Sequence, residues 1–266
     1  MRLPRRLRHD QTAELVEHLG ELRSRLVIML LALAGGFALA YGFHHELLHW
    51  LNQPLPPGRR RPVTFGVAEP FTTSLKVSLY AGFALALPVI LWQLWSFLAP
   101  AIDPRTERAI SGLVLFASGL FVSGVAFAYK LVLPPAIHYL TTYDAGFYNI
   151  QIRASSYYSF TLLTLLAIGL VFELPVFVLA LVRIGALTSA KLRSNRRTGY
   201  FVMAVLAVAL PGLDWVTTAF EIVPLITLFE LSIWLSVLFE RRWRDRFSWG
   251  SPAGCSEASL SFAKWR

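Results

Sequence analysis

Apolar and polar positions alternate along this chain in long blocks rather than in short stripes. Six apolar stretches, near Leu26–Phe43, Val77–Leu98, Ile110–Tyr129, Phe160–Val182, Tyr200–Leu210 and Ile222–Leu238, are separated by polar or proline-rich segments. A run of about 20 apolar residues crosses a bilayer core as a helix, because backbone groups in hydrocarbon must pair within their own segment. The pattern therefore predicts an all-α polytopic protein with six transmembrane helices. The fifth stretch holds about 11 apolar residues, and the sixth is expected to be shortened by Pro224. Short helices of this kind imply local bilayer thinning or shielding by neighbours.

Outside the spans, Leu15, Leu19, Leu22 and Leu26 share one face of a short amphipathic helix over Gln11–Arg25, with Glu14, Glu17 and Glu21 on another. This helix is expected to lie on the membrane surface or feed into the first span. Three regions follow: residues 1–25 as a cytoplasmic N-terminal segment, 26–239 as the membrane domain, and 240–266 as a basic, disordered tail. Two outer loops, His44–Thr72 with seven prolines and glycines between Pro54 and Pro70, and Lys130–Ser159 with Pro134, Pro135 and several tyrosines, are large enough to form a cap. In the inner loop Ala99–Arg108, Asp103 is placed to cap the third helix, with Pro104 at its first position.

Composition agrees with the blocks: 55% of the 266 residues are hydrophobic and 15% charged, with a mean hydropathy of +0.53. The net charge of +9 would suit nucleic acid, but its distribution points to topology instead. With the N-terminus inside, 19 of the 25 Lys and Arg fall on the inner side, so both termini are expected in the cytoplasm. The Arg59–Arg61 cluster breaks that rule on the outer side. Ala38-Leu-Ala40 resembles a signal cleavage site, but its leader is long and acid-rich and five spans follow, which favours a retained first helix. Cys255 stands alone, so neither an intramolecular disulfide nor a cysteine metal site is expected.

The candidate chemistry is carboxylate chemistry. The six histidines lack the spacing of a metal-dependent hydrolase, and no nucleophile and base pair is apparent, so an enzyme, a metal and a cofactor are not expected. Glu173 interrupts the fourth stretch, where an ionisable group costs about 3 kcal/mol to insert. Pro175 deprives the Val171 carbonyl of its helical donor, predicting a kink beside that acid. Possible polar companions are Glu230 in the sixth span, Gln93, Thr161 and Thr164. Glu21 and Glu107 fall on the inner face, where two carboxylates near lipid would hold the guanidinium groups of a partner. The competing structural readings are an i,i+4 pair of Glu21 with Arg25 and a dipole role for Glu107 in the first turn of its helix.

His18-Leu-x-Glu-Leu-Arg-x-Arg-Leu26, Leu87-Pro-Val-Ile-Leu-Trp-Gln-Leu-Trp-Ser-Phe-Leu-Ala-Pro100 with Glu107-Arg108, Gly124-Val-Ala-Phe-Ala-Tyr129, Phe172-Glu-Leu-Pro175, Arg196-Arg-x-x-Tyr200 and Leu228-Phe-Glu-Leu231 occur in the order of one family. From about Glu14 to Phe239 the chain resembles TatC, the six-span receptor of the twin-arginine translocation system. The resemblance implies a concave bundle in the cytoplasmic membrane that binds twin-arginine signal peptides of folded proteins and organises their export. It implies signal-peptide contacts at Glu21 and Glu107, with Arg23 and Phe97 contributing. It also implies an intramembrane site at Glu173 and Pro175, with Glu230, where TatA and TatB type single-span proteins pack. Self-association in a larger complex and use of the proton-motive force follow from the same resemblance; nucleic acid is not a partner. The chain departs from the family after the fifth span, reading Leu210-Pro-Gly-Leu-Asp214 in place of Thr-Pro-Pro-Asp. A proton-coupled transporter of a small solute, using Glu173, is the alternative. Such a protein should carry repeated broken helices and convergent midplane polar groups, and this sequence shows few.

Overall fold

The computed structural model describes residues 9–98, 107–183, 187–210 and 215–248, with side chains for 20–96, 111–182, 187–210, 215 and 217–238. Asp103, Pro104, Asp214 and residues 249–266 lie outside the described residues, as do the expectations attached to them. Among the described residues the regular structure is helical, apart from a single bridge between Val63 and Arg153, and loops join the helices.

The amphipathic N-terminal segment feeds directly into the first span: α1 is one helix, His9–Gly42. A short α2 (His44–Leu51) and a 3-10 turn (Pro57–Arg59) lead to α3 (Glu69–Leu98). The third span, α4 (Glu107–Phe127), passes through a π-helical turn at Ala128–Val132 into α5 (Leu133–Thr142). Then come α6 (Ala154–Val171), α7 (Leu174–Arg183), α8 (Ser189–Ser194), α9 (Arg196–Ala209) and α10 (Trp215–Ser248). Among the described residues, five stretches are long and apolar enough to cross a membrane: Gly20–Gly42, Glu69–Ser96, Ser111–Thr142, Ala154–Val182 and Thr217–Leu238. The remaining traverse is α9, whose 14 residues reach about 21 Å, against a hydrocarbon core of about 30 Å. The short fifth element anticipated from the sequence is thus present.

Three expectations need correction. Pro224 does not shorten the sixth span, because α10 runs through it for 34 residues, as α3 runs through Pro88; neighbouring helices in a bundle re-satisfy the backbone groups a proline frees. The second outer loop does not begin at Lys130, since the helix persists to Thr142. There the Leu133 N–H donates to Ala128 O, five residues back, and this shift of register seats Pro134 and Pro135 in the first turn of α5, where missing donors cost nothing. The basic segment after residue 240 is helical as far as Ser248.

Two ends of the bundle follow from this path. One carries the start of α1, the ends of α3 and α7, and the start of α9; we call it the N-terminal face. The other carries α2, the 3-10 turn and the loop 143–153, and forms a cap. The cap is tied to the spans by hydrogen bonds of polar side chains. Tyr157 Oη donates to Leu51 O (2.5 Å), Tyr158 Oη to Asn52 Oδ1 (2.9 Å) and Tyr129 Oη to Trp50 O (2.8 Å). Glu69, at the start of α3, accepts from Phe65 N (2.9 Å), Gly66 N (3.2 Å), Ser155 N (3.1 Å) and both Nε (3.0 Å) and Nη2 (3.4 Å) of Arg153. Arg59 is accounted for as well: its Nη1 donates to Thr141 O (3.2 Å), satisfying a carbonyl in the last turn of α5.

Below the cap, Val77, Val132, Leu133, Leu162 and Ile168 pack into a core shared by α3, the α4–α5 helix and α6. Trp95, Val114, Ala117, Val176 and Ala180 form a second core toward the N-terminal face, and Met203, Ala207, Leu225, Phe229 and Ile233 join α9 to α10. The first span stands outside these cores. Only 6% of its apolar window is buried, and its partner is α3. The two backbones touch at Gly36 and Gly82, where a Cβ on Gly82 would lie 2.5 Å from Phe37 N and 2.7 Å from Phe37 Cα. Helices in lipid gain little from hydrophobicity against one another, so close backbone packing at small residues carries the association.

Gly82→Val is accordingly expected to push α1 off α3 and to cost about 1–3 kcal/mol, read as a lower thermal unfolding temperature of the detergent-solubilised protein. Gly35→Ala, whose added carbon would meet nothing within 4 Å, should leave that temperature unchanged or raise it.

Candidate signal-peptide and intramembrane sites

The α1–α3 crossing brings Glu21 to the last turns of α3. Arg25, one turn on from Glu21, donates its Nε to Glu21 Oε1 (3.1 Å) and a second bond from Nη2 to the same oxygen. Its Nη1 reaches Gln93 O of α3 (3.4 Å). The i,i+4 pair anticipated as the competing reading is therefore present, and it also stitches α1 to α3. The Glu21 side chain is 41% exposed and that of Arg25 16%. The carboxylate is thus the open member of the pair, while the guanidinium is largely enclosed between α1 and α3.

Arg23 is exposed on the same stretch of α1. Phe97 occupies the last turn of α3, four residues beyond Gln93, and Glu107 opens α4. Their side chains lie outside the described set, so the structure fixes these two by backbone position alone. α3 packs against both α1 and α4, which places the elements carrying all four predicted residues at one end of the bundle.

Glu173 lies where the predicted kink occurs. α6 ends at Val171 and α7 starts at Leu174; across the break Glu173 N donates to Leu170 O (3.1 Å) and Phe177 N to Glu173 O (3.0 Å). Pro175, fully buried, sits in the first turn of α7. The break is held from the other side by Phe172, whose ring fills the space over Gly124: a Cβ there would be 2.7 Å from Phe172 Cγ. Glu173 Oε1 is buried and accepts no hydrogen bond among the described residues. Its expected companion Glu230 is engaged elsewhere. It accepts a hydrogen bond from Tyr200 Oη and lies 3.5 Å from Arg196 Nη2, joining α10 to the start of α9.

Sequence reasoning passed over Glu221, which is 1% exposed in α10 and lines a small void with Phe172, Leu210 and Pro224. The signal was present: Phe220-Glu-Ile-Val-Pro224 places an acid just before a proline, as Phe172-Glu-Leu-Pro175 does. An apolar groove of about 450 Å³ between α1, α2, α3, α4 and α6, lined among others by Leu39, Trp50, Tyr80 and Leu165, contains neither acid. Among the described residues no cluster of His, Cys, Asp or Glu has metal-binding geometry.

A profile described as "Sec-independent protein translocase protein (TatC)" matches residues 17–224, the stretch that holds both the N-terminal-face acids and the Glu173 kink. The chain belongs to the TatC family. It is 35% identical over 228 residues to the TatC protein of Carboxydothermus hydrogenoformans, covering 85% of this chain and 94% of that one. It is 34% identical to those of Deinococcus radiodurans, over 86% of this chain and 87% of that one, and Aquifex aeolicus, over 87% and 98%. Two crystal structures described as the twin-arginine translocase receptor TatC superpose with TM-scores of 0.71 and 0.73 at 32% identity, covering 83% and 82% of this chain and 98% and 99% of theirs. This TatC protein is thus a multi-pass membrane protein of a protein translocase, with the helical bundle of its family.

Glu173→Gln keeps the shape of the side chain and removes the cost of ionising an acid whose buried oxygen accepts no hydrogen bond among the described residues. The thermal unfolding temperature of the purified protein is expected to hold or rise. Glu230→Ala should lower it, because Tyr200 and Arg196 lose their common acceptor. The reverse ranking would contradict these environments.

Proposed function

We propose that this TatC protein is the signal-peptide receptor core of a twin-arginine translocase, reading the paired arginines of folded cargo at its N-terminal face. The observation that carries the reading is the half-exposed Glu21 carboxylate, held at the end of α3 by a pair with Arg25 that a ligand can exchange. A signal arginine takes the place of Arg25 on Glu21, and the second arginine is met by Glu107 at the positive end of the α4 dipole. Arg23 and Phe97 shape the approach. Loops and termini on this face hold most of the Lys and Arg of the chain, which supports a cytoplasmic orientation for it.

The Glu173 kink serves a different step. A carboxyl at a helix break inside the bilayer is suited to packing against single-span partners of the TatA and TatB type, which would supply the polar group that the break lacks. Transport then requires assembly rather than covalent chemistry by this chain. The solute-transporter alternative gains no support, because Glu230 is committed to Tyr200 and Arg196 and Glu173 has no polar companion among the described residues.

Site-specific photo-crosslinking of a twin-arginine signal peptide tests the receptor reading. Labelling should fall when the peptide carries Lys-Lys, and when Glu107→Ala replaces wild type. A smaller fall is expected for Glu21→Ala, where Arg25 is released as a competitor's loss. A charge-assisted bond is worth about 1.5–3 kcal/mol, so the decrease should be about tenfold or more for Glu107→Ala. Undiminished labelling in both variants would overturn the assignment.

A further inference from the structure

A trough of about 300 Å³ opens on the bundle where α8, α9 and α10 meet, lined by Arg193, Arg196, Ile233, Trp234, Val237 and Leu238. In the sequence the apolar run of α10 gives way to Glu240-Arg-Arg242 directly after Val237, Leu238 and Phe239, so the trough lies at the membrane boundary. Trp234 is 73% exposed, as suits an indole at the headgroup level. Arg193 is exposed and the Arg196 side chain is 42% exposed.

We propose that this trough binds one anionic phospholipid, with the phosphate on Arg193 and Arg196 and an acyl chain along Ile233, Trp234, Val237 and Leu238. The chemistry of the lining selects this occupant. Guanidinium groups offer forked donors that match phosphate oxygens, while the α10 surface beside them offers only carbon and an indole. A free phosphate would leave that surface unused. Glu230, 3.5 Å from Arg196 Nη2, orients the guanidinium and offsets one charge, so that Arg193, Arg196 and Glu230 together carry one net positive charge, the complement of one phosphodiester. The short α9 contributes as well. Its roughly 21 Å length draws the arginines at its start toward the hydrocarbon boundary, where a headgroup meets them without leaving its leaflet. The proposal stands apart from the receptor reading, since it uses neither Glu21 nor Glu107.

Fluorescence quenching by lipids brominated on the acyl chain tests it in reconstituted full-length protein. The Trp234 contribution is isolated as the difference between wild type and Trp234→Phe. In phosphatidylcholine vesicles containing a minor fraction of brominated phosphatidylglycerol, Trp234 should be quenched more than with the same fraction of brominated phosphatidylcholine. A basic residue near the surface favours anionic lipid about fivefold, so Arg193→Gln alone should reduce the preference by about that factor, and Arg193→Gln with Arg196→Gln should abolish it. Arg193→Gln leaves the Arg196 pair with Glu230 intact, which separates lipid binding from any loss of folding in the double variant. Arg60→Gln, on the cap, should change nothing. Equal quenching by the two lipids in wild type overturns the proposal, as does a preference that survives in the double variant.

Discussion

The contact of backbone on backbone at Gly36 and Gly82 is the joint on which the N-terminal face depends. α1 shares little surface with the rest of the bundle, and lipid offers no hydrophobic reason for it to stay. The glycines let α3 come close enough for dispersion to hold the pair, with Arg25 reaching the Gln93 carbonyl as a second tether. Glu21 gains its position from that arrangement. A side chain at Gly82 would therefore act on the proposed receptor site from about three turns away along α3.

The two ends of the protein handle polar groups in opposite ways. At the cap, Glu69 accepts from five donors in two segments, 65–66 and 153–155, and the Tyr157 and Tyr129 hydroxyls close the Leu51 and Trp50 carbonyls. At the N-terminal face, Glu21 pairs with Arg25 and stays 41% exposed. Rigid cap and exchangeable face suit a molecule whose partners arrive from one side. Between them, the α6–α7 break keeps a buried Glu173 carboxyl oxygen without a donor among the described residues, an arrangement that costs stability and is tolerated because Phe172 over Gly124 and the first turn of α7 fix the backbone around it.

Much of this was legible in the sequence because bilayer thickness imposes block lengths, and an acid or a proline inside a block stands out. The spans, the short α9 and the kink at Glu173 and Pro175 follow from that rule. What local rules missed, tertiary context decided. Pro224 reads as an interruption, yet α10 continues through it, as α3 does through Pro88, because packed neighbours hold the turn. Lys130–Thr142 reads as loop because of its two prolines, and the π-turn that accommodates them has no sequence signature of its own. Arg59 reads as a breach of charge topology; its reason is a carbonyl 82 residues away. Glu230 reads as a possible companion of Glu173, and its partners Tyr200 and Arg196 come from a different helix.

The central claim is that the glycine joint positions the arginine-binding face. The most direct test is the affinity of a twin-arginine signal peptide for Gly82→Val, measured by titration of the purified protein against wild type and Gly35→Ala. The account predicts a loss of about tenfold or more in Gly82→Val, comparable to removing a charge-assisted bond, with Gly35→Ala unchanged. Wild-type affinity in a Gly82→Val protein whose α1 has been displaced would contradict it.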